Sequence, residues 1–168
     1  MKSLNNILLG IVLIFATSCG VRVNSGSPDT NKVFESYFVD KGIFQYFVNP
    51  LKYKDKSNFL IPDITFRDSS KSESKIIVNF TIQGTVQPNL INYYTSIPIK
   101  FENISLLYAD KVKNISRYTS TIKYSQFKDI CKFPNHKIIM NLESDTITLY
   151  PNRKTLKRLT FVDKYLFQ

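Results

Sequence analysis

The stretch Ile76-Ile77-Val78-Asn79-Phe80-Thr81-Ile82 decides the fold class. Ile76, Val78, Phe80 and Ile82 share one face of an extended chain and Asn79 and Thr81 the other, because successive strand side chains point to opposite sides. Just upstream, Ile61-Pro62-Asp63-Ile64-Thr65-Phe66 is followed by a polar loop holding Asp68-Ser69-Ser70-Lys71-Ser72-Glu73-Ser74. Strand, polar loop, strand predicts an antiparallel pair.

The same reading extends in both directions. Ile97, Ile99 and Phe101 alternate with Pro98, Lys100 and Glu102, and Ile104, Leu106 and Tyr108 continue the apolar phase up to a turn at Asp110-Lys111. Tyr118 to Tyr124 suits a partly exposed strand. Ser125 to Phe133 places Phe127, Ile130 and Cys131 on one side, which predicts a short helix with Ser125 as cap and Pro134 as stop. Lys137 to Leu142, then Glu143-Ser144-Asp145, then Thr146 to Tyr150 predicts a hairpin. Val33, Phe34, Tyr37 and Phe38 recur at helical spacing before Asp40-Lys41-Gly42, so a short helix followed by a strand is expected there. The tail from Leu156 to Phe167 reads equally as strand or helix. The fold class is therefore mainly β: an antiparallel β-sandwich or curved sheet with one or two short helices. Strand order is not readable.

The chain has 168 residues and a formal charge of +10, from 23 basic and 13 acidic side chains. It begins Met1-Lys2-Ser3, runs through an apolar stretch from Ile7 to Ala16, and continues Thr17-Ser18-Cys19-Gly20. One cation, a short apolar core and then small residues is the order of an export leader, and the run is too short for a membrane-spanning helix of ~20 residues. Ala16-Thr17-Ser18-Cys19 resembles the lipobox of bacterial lipoproteins, with Ala16 where that family usually has Leu. The resemblance implies cleavage before Cys19, lipidation of Cys19, and anchoring by several acyl chains, which together hold a protein stably at a bilayer. Gly20 after the cysteine, rather than Asp, points within that family to the outer membrane. The expected organisation is a leader over 1–18, a flexible tether over 19–30 and a single β-rich domain over 31–168.

Removal of the leader takes away Lys2 alone, so the excess of cations remains. Export argues against nucleic acid as partner; lipid head groups, lipopolysaccharide phosphates and acidic glycans are the anions at hand. If Cys19 carries lipid, Cys131 has no partner within the chain, which excludes a disulfide framework.

Candidate chemistry is sparse. Cys131 and His136, the only His, could in principle form a nucleophile and base, but Cys131 falls on the apolar helix face and no thiol-protease signature surrounds it. One His and one free Cys cannot complete a zinc site, no carboxylate run resembles a calcium loop or glycosidase pair, and no cofactor motif is present. Arg153, Lys154, Lys157 and Arg158 form the densest basic cluster and are candidate anion-binding residues. Tyr93 and Tyr94, in a loop-like region after Pro88-Asn89, are candidates for stacking on a sugar ring or partner groove. The expected function is a membrane-anchored, non-enzymatic binding or structural module, with an envelope protein or anionic envelope polymer as partner. The alternative is an envelope hydrolase whose residues meet only in the fold.

Overall fold

The structure is a computed structural model, which describes residues 33–133, 135–143 and 145–167. The leader, Cys19 and the tether lie outside the described residues. The Ile76–Ile82 stretch lies in strand β5 (Lys75–Gln83), paired antiparallel with β4 (Phe59–Arg67) on one side and β9 (Ile115–Lys123) on the other. Ile76, Val78, Phe80 and Ile82 all face the core, as the alternation predicts. In β9 the inward positions are Ser116, Tyr118, Ser120 and Ile122. The two buried serines donate to the carbonyls of Gly84 (2.9 Å) and Val78 (3.2 Å), so these core hydroxyls are satisfied.

The first two strands correct one expectation. Phe34–Asp40 is strand β1, not a helix, and pairs with β2 (Ile43–Val48), which in turn pairs with β4. Phe34 and Ser36 point inward with period two; the buried Ser36 breaks the apolar pattern and lets a helical spacing mimic it. Lys41 (φ 40°) and Gly42 (φ 86°) both occupy the left-handed region, the geometry a two-residue hairpin turn demands and glycine supplies without strain.

The remaining strands are β3 (Tyr53–Lys54), β6 (Leu90–Tyr94), β7 (Pro98–Lys100), β8 (Glu102–Asp110), β10 (Lys137–Asn141) and β11 (Thr146–Pro151). They run in the order β7-β6-β10-β11-β3-β4-β5-β9-β8, every pair antiparallel, with β1 and β2 attached beside β4. The two ends of this path, β7 and β8, are consecutive in the chain and separated only by Phe101. A single curved sheet therefore bends round until its ends are covalently joined, giving a nearly closed barrel. Phe101 is buried at the join. Its N–H donates to the Ile91 carbonyl (2.9 Å), and its ring lies 5.6 Å from Phe80 and 5.5 Å from Tyr93, bridging the two flanks of the sheet.

β8 departs from its expected phase. Leu106 and Tyr108 are half exposed, because β8 is paired on one side only and its register against β9 shifts twice. Such bulges twist an edge away from further pairing.

Two helices cover the sheet. Helix α1 (Tyr124–Lys132) buries Phe127, Ile130 and Cys131, and starts two residues earlier than Ser125 would set it: Lys123 is the cap residue, and its N–H donates to the Gln126 side chain (2.8 Å). The ambiguous tail is helix α2 (Arg153–Leu166), whose Thr155, Leu159 and Val162 face the core. Asn152 caps it by accepting from the Thr155 N–H (2.8 Å). The Thr155 hydroxyl accepts from the Lys52 N–H (2.7 Å) and donates to the Lys52 carbonyl (3.1 Å), pinning the helix start to the residue just before β3. Phe66, Tyr124, Phe127 and Phe167 pack ring against ring between both helices and the sheet.

Candidate functional site

Tyr93 and Tyr94 belong to β6 rather than to a loop, and strand alternation sends them to opposite faces. Tyr93 is 0% exposed and cannot stack on a ligand, which removes it as a candidate. Tyr94 faces outward. Opposite it on β10 stands Lys137, and the β10–β11 register, with Ile138 opposite Leu149, brings Lys137 level with Tyr150. Tyr150 is in turn paired with Lys54 of β3. Four adjacent strands thus carry a transverse row of Tyr94, Lys137, Tyr150 and Lys54, aromatic and cation in alternation. The Lys137 ammonium lies 6.0 Å from the Tyr94 ring centroid, within reach of a cation–π attraction.

The row runs into an open cleft of about 490 Å³, walled by Tyr94, Lys137 and Tyr150 from the sheet and Leu156 from α2, with Thr95 and Asn135 at its rim. Tyr150 is 57% exposed. No carboxylate lines the cleft, and among the described residues neither Lys54 nor Lys137 is engaged in an ion pair. The arrangement offers flat apolar surface together with unneutralised positive charge.

His136 forms part of the cleft wall but is itself buried, held from inside. Its Nδ1 is 2.6 Å from the Phe133 carbonyl, which can only accept, so Nδ1 carries the proton and Nε2 accepts from the Tyr53 hydroxyl at 2.8 Å. Burial pushes the imidazole below its ordinary pKa of 6.5, against a smaller opposing effect of the Phe133 carbonyl. Burial likewise pushes the Cys131 thiol well above its ordinary range, helped by the negative charge of Asp163. Both nitrogens of His136 are engaged by groups other than Cys131, and the thiol is buried in its least nucleophilic form. The pair is part of the core.

The basic cluster is the start of α2, with Arg153, Lys154 and Lys157 exposed. Arg158 is different: its guanidinium donates to the Pro50 carbonyl and is half-buried. At 3.6 residues per turn, Lys154, Lys157, Phe161, Lys164 and Tyr165 share the face opposite Thr155, Leu159 and Val162. Phe161 and Tyr165 stack at 4.2 Å, and the Lys164 ammonium lies 5.2 Å from the Tyr165 ring. The structure thus places Lys154, Lys157 and Lys164 on one helix face beside the exposed Tyr165, while Arg158 turns to Pro50 and half-buried Phe161 leans on the core ring of Phe34.

Lys137, Tyr150 and Lys54 were not singled out in the sequence. The hairpin reading put Lys137 and Tyr150 on neighbouring strands, but it left their register open: Asn141, not Leu142, stands opposite Thr146, and the arrival of β6 and β3 on either side is a long-range pairing with no local signal. No helix among the described residues is long and apolar enough to cross a membrane. No family model matches this chain, and comparison with curated proteins and with solved structures gives no match.

Proposed function

We propose that this chain is a lipid-anchored protein of a bacterial cell envelope, held at the outer membrane through Cys19, and that its β domain is a non-enzymatic binding module. One observation carries the anchoring: Lys2, the apolar run Ile7 to Ala16 and then Thr17-Ser18-Cys19 stand in the order of a lipoprotein leader. Binding is favoured over hydrolysis because Cys131 and His136 are used in packing, whereas the cleft offers exposed tyrosine and a lysine with no ion pair among the described residues. The partner is an envelope protein or an anionic envelope polymer, and the positive face of α2 would let the tethered domain lie against an anionic bilayer.

Replacing Cys19 by Ala tests the anchoring. The native protein should sediment with membranes and have the mass of residues 19–168 plus acyl chains, while Cys19→Ala should lose both the acyl mass and stable membrane association. Unchanged mass and sedimentation in the variant would overturn the reading.

A further inference from the structure

We propose that the row Tyr94, Lys137, Tyr150 and Lys54 binds a linear acidic polysaccharide, with sugar rings on the two tyrosines and ring carboxylates on the two lysines. The ligand class rests on the envelope-binding reading above; the geometry of the row does not.

The argument is one of spacing and charge. Neighbouring strands lie about 4.8 Å apart, so the two tyrosines are separated by about 10 Å, as are the two lysines. That separation approximates a disaccharide repeat, so alternate sugars of an extended chain meet a ring and alternate sugars meet a cation. Pyranose rings present a C–H face that packs on an aromatic ring, and exposed tyrosine supplies one with a polar edge. A neutral glycan would leave Lys137 and Lys54 without a role. An acidic one neutralises ammonium groups that have no carboxylate partner among the described residues. At the cleft end of the row, around Tyr94, Lys137 and Tyr150, no carboxylate lines the surface. Single-stranded nucleic acid shares the same combination of stacking and negative charge, but an exported domain meets glycans instead.

Affinity electrophoresis of the full-length chain in a nonionic polyoxyethylene detergent, through gels containing polygalacturonate, dextran or oligothymidylate, reads the ligand class directly. Polygalacturonate should retard the protein and dextran should not. Tyr94→Ala and Tyr150→Ala should each weaken retardation about tenfold, the change that ~1.4 kcal/mol produces. Tyr150→Phe should retain it, and Lys137→Gln with Lys54→Gln should weaken it in a salt-dependent way. Lys71→Gln with Lys111→Gln, in the loops between β4 and β5 and between β8 and β9, should leave it unchanged. These side chains face outward, so unchanged thermal melting certifies the fold of each variant. Equal retardation by dextran, stronger retardation by oligothymidylate, or loss on substituting Lys154 and Lys157 but not the row would each overturn the proposal. The Cys19→Ala fractionation is indifferent to all of these outcomes, so the anchoring and the glycan site can fail separately.

Discussion

The Tyr53 hydroxyl donates to His136 Nε2 at 2.8 Å inside the barrel, with both side chains buried. Tyr53 is on β3 and His136 follows α1, so the bond ties the short middle strand of the sheet to the segment that enters β10. It also fixes a protonation state: the Phe133 carbonyl holds the proton on Nδ1, and Tyr53 requires Nε2 to be bare.

Acid should therefore loosen the fold. The folded pKa of His136 is depressed below the unfolded value of 6.5. As pH falls from 6.5 toward the folded pKa, the unfolded chain takes up a proton that the folded chain does not. Stability is then constant above the window and declines through it, by at most ~1.4 kcal/mol per pH unit from this one group. Urea unfolding at a series of pH values checks this, and His136→Gln should flatten that part of the profile. A profile unchanged by the substitution would mean that the imidazole is not held neutral.

Tyr53→Phe and Tyr93→Phe remove the same atom from neighbouring buried rings and should give opposite results. The first leaves Nε2 of His136 as a buried acceptor without a donor and should destabilise by about 1–3 kcal/mol. The Tyr93 hydroxyl is buried near that of Tyr53, whose proton is committed to His136, and makes no hydrogen bond of good geometry among the described residues. Its removal relieves an unmet desolvation cost, so Tyr93→Phe should be neutral or stabilising by about 1 kcal/mol. Paired denaturation curves decide both; a loss at Tyr93 comparable to that at Tyr53 would show an unrecognised donor–acceptor link.

Thiol chemistry reads the core and the anchor together. Cys131 is buried with its pKa raised, so a thiol-specific disulfide reagent at neutral pH should label it at a rate set by unfolding rather than by the thiolate. In guanidinium the chain should yield one reactive thiol if Cys19 is acylated and two if it is not, since these are the only cysteines. Fast labelling of the native protein would contradict the packed placement of Cys131.

How legible this fold was depends on how local each signal is. The β4–β5 pair and the β10–β11 hairpin could be read because alternation and a short polar connection lie within a few residues. The first strand could not, since buried Ser36 interrupts its apolar period and Phe34, Tyr37 and Phe38 fit a helix as well. Leu106 and Tyr108 continue an apolar phase that would be core in a central strand; at a bulged edge the same phase faces solvent. The site divides the same way. That Tyr93 is buried and Tyr94 is not depends on which face of β6 turns to the core, which is set by its pairing with β10, a segment far away in the chain. Closure through Phe101 is a property of the whole sheet order, and no residue pattern announces it.

Arg117 and Asp63 offer a test of the sheet's outer face. Their side chains meet at 2.6 Å across β5, and Arg117 also donates to Thr81 at 3.2 Å. Both groups are about three-quarters buried, so their coupling should lie at the upper end of that for exposed pairs, about 0.5–1 kcal/mol. A double-mutant cycle of Asp63→Asn and Arg117→Met should show it and show it shrinking in high salt. No coupling would mean that the side chains do not remain together in solution.

The basic face of α2 yields the prediction closest to function. Lys154 and Lys157 are exposed and share a face with Lys164 and the exposed Tyr165, so cations and one ring can meet a bilayer surface together. Each lysine near an anionic surface contributes about 1 kcal/mol of attraction, falling off within a Debye length. Arg158 is left intact in this test, because its bond to the Pro50 carbonyl gives it a structural role that would confuse the comparison. Using residues 20–168 alone, so that neither the apolar leader nor an acyl group masks the effect, the native helix should bind vesicles containing phosphatidylglycerol at low salt and release them as salt rises. Arg153→Gln with Lys154→Gln and Lys157→Gln should weaken that binding roughly a hundredfold, as three such charges require. Vesicles of phosphatidylcholine alone should bind neither form. Equal retention of both forms on the anionic vesicles would reduce the cluster to an ordinary solvated helix face.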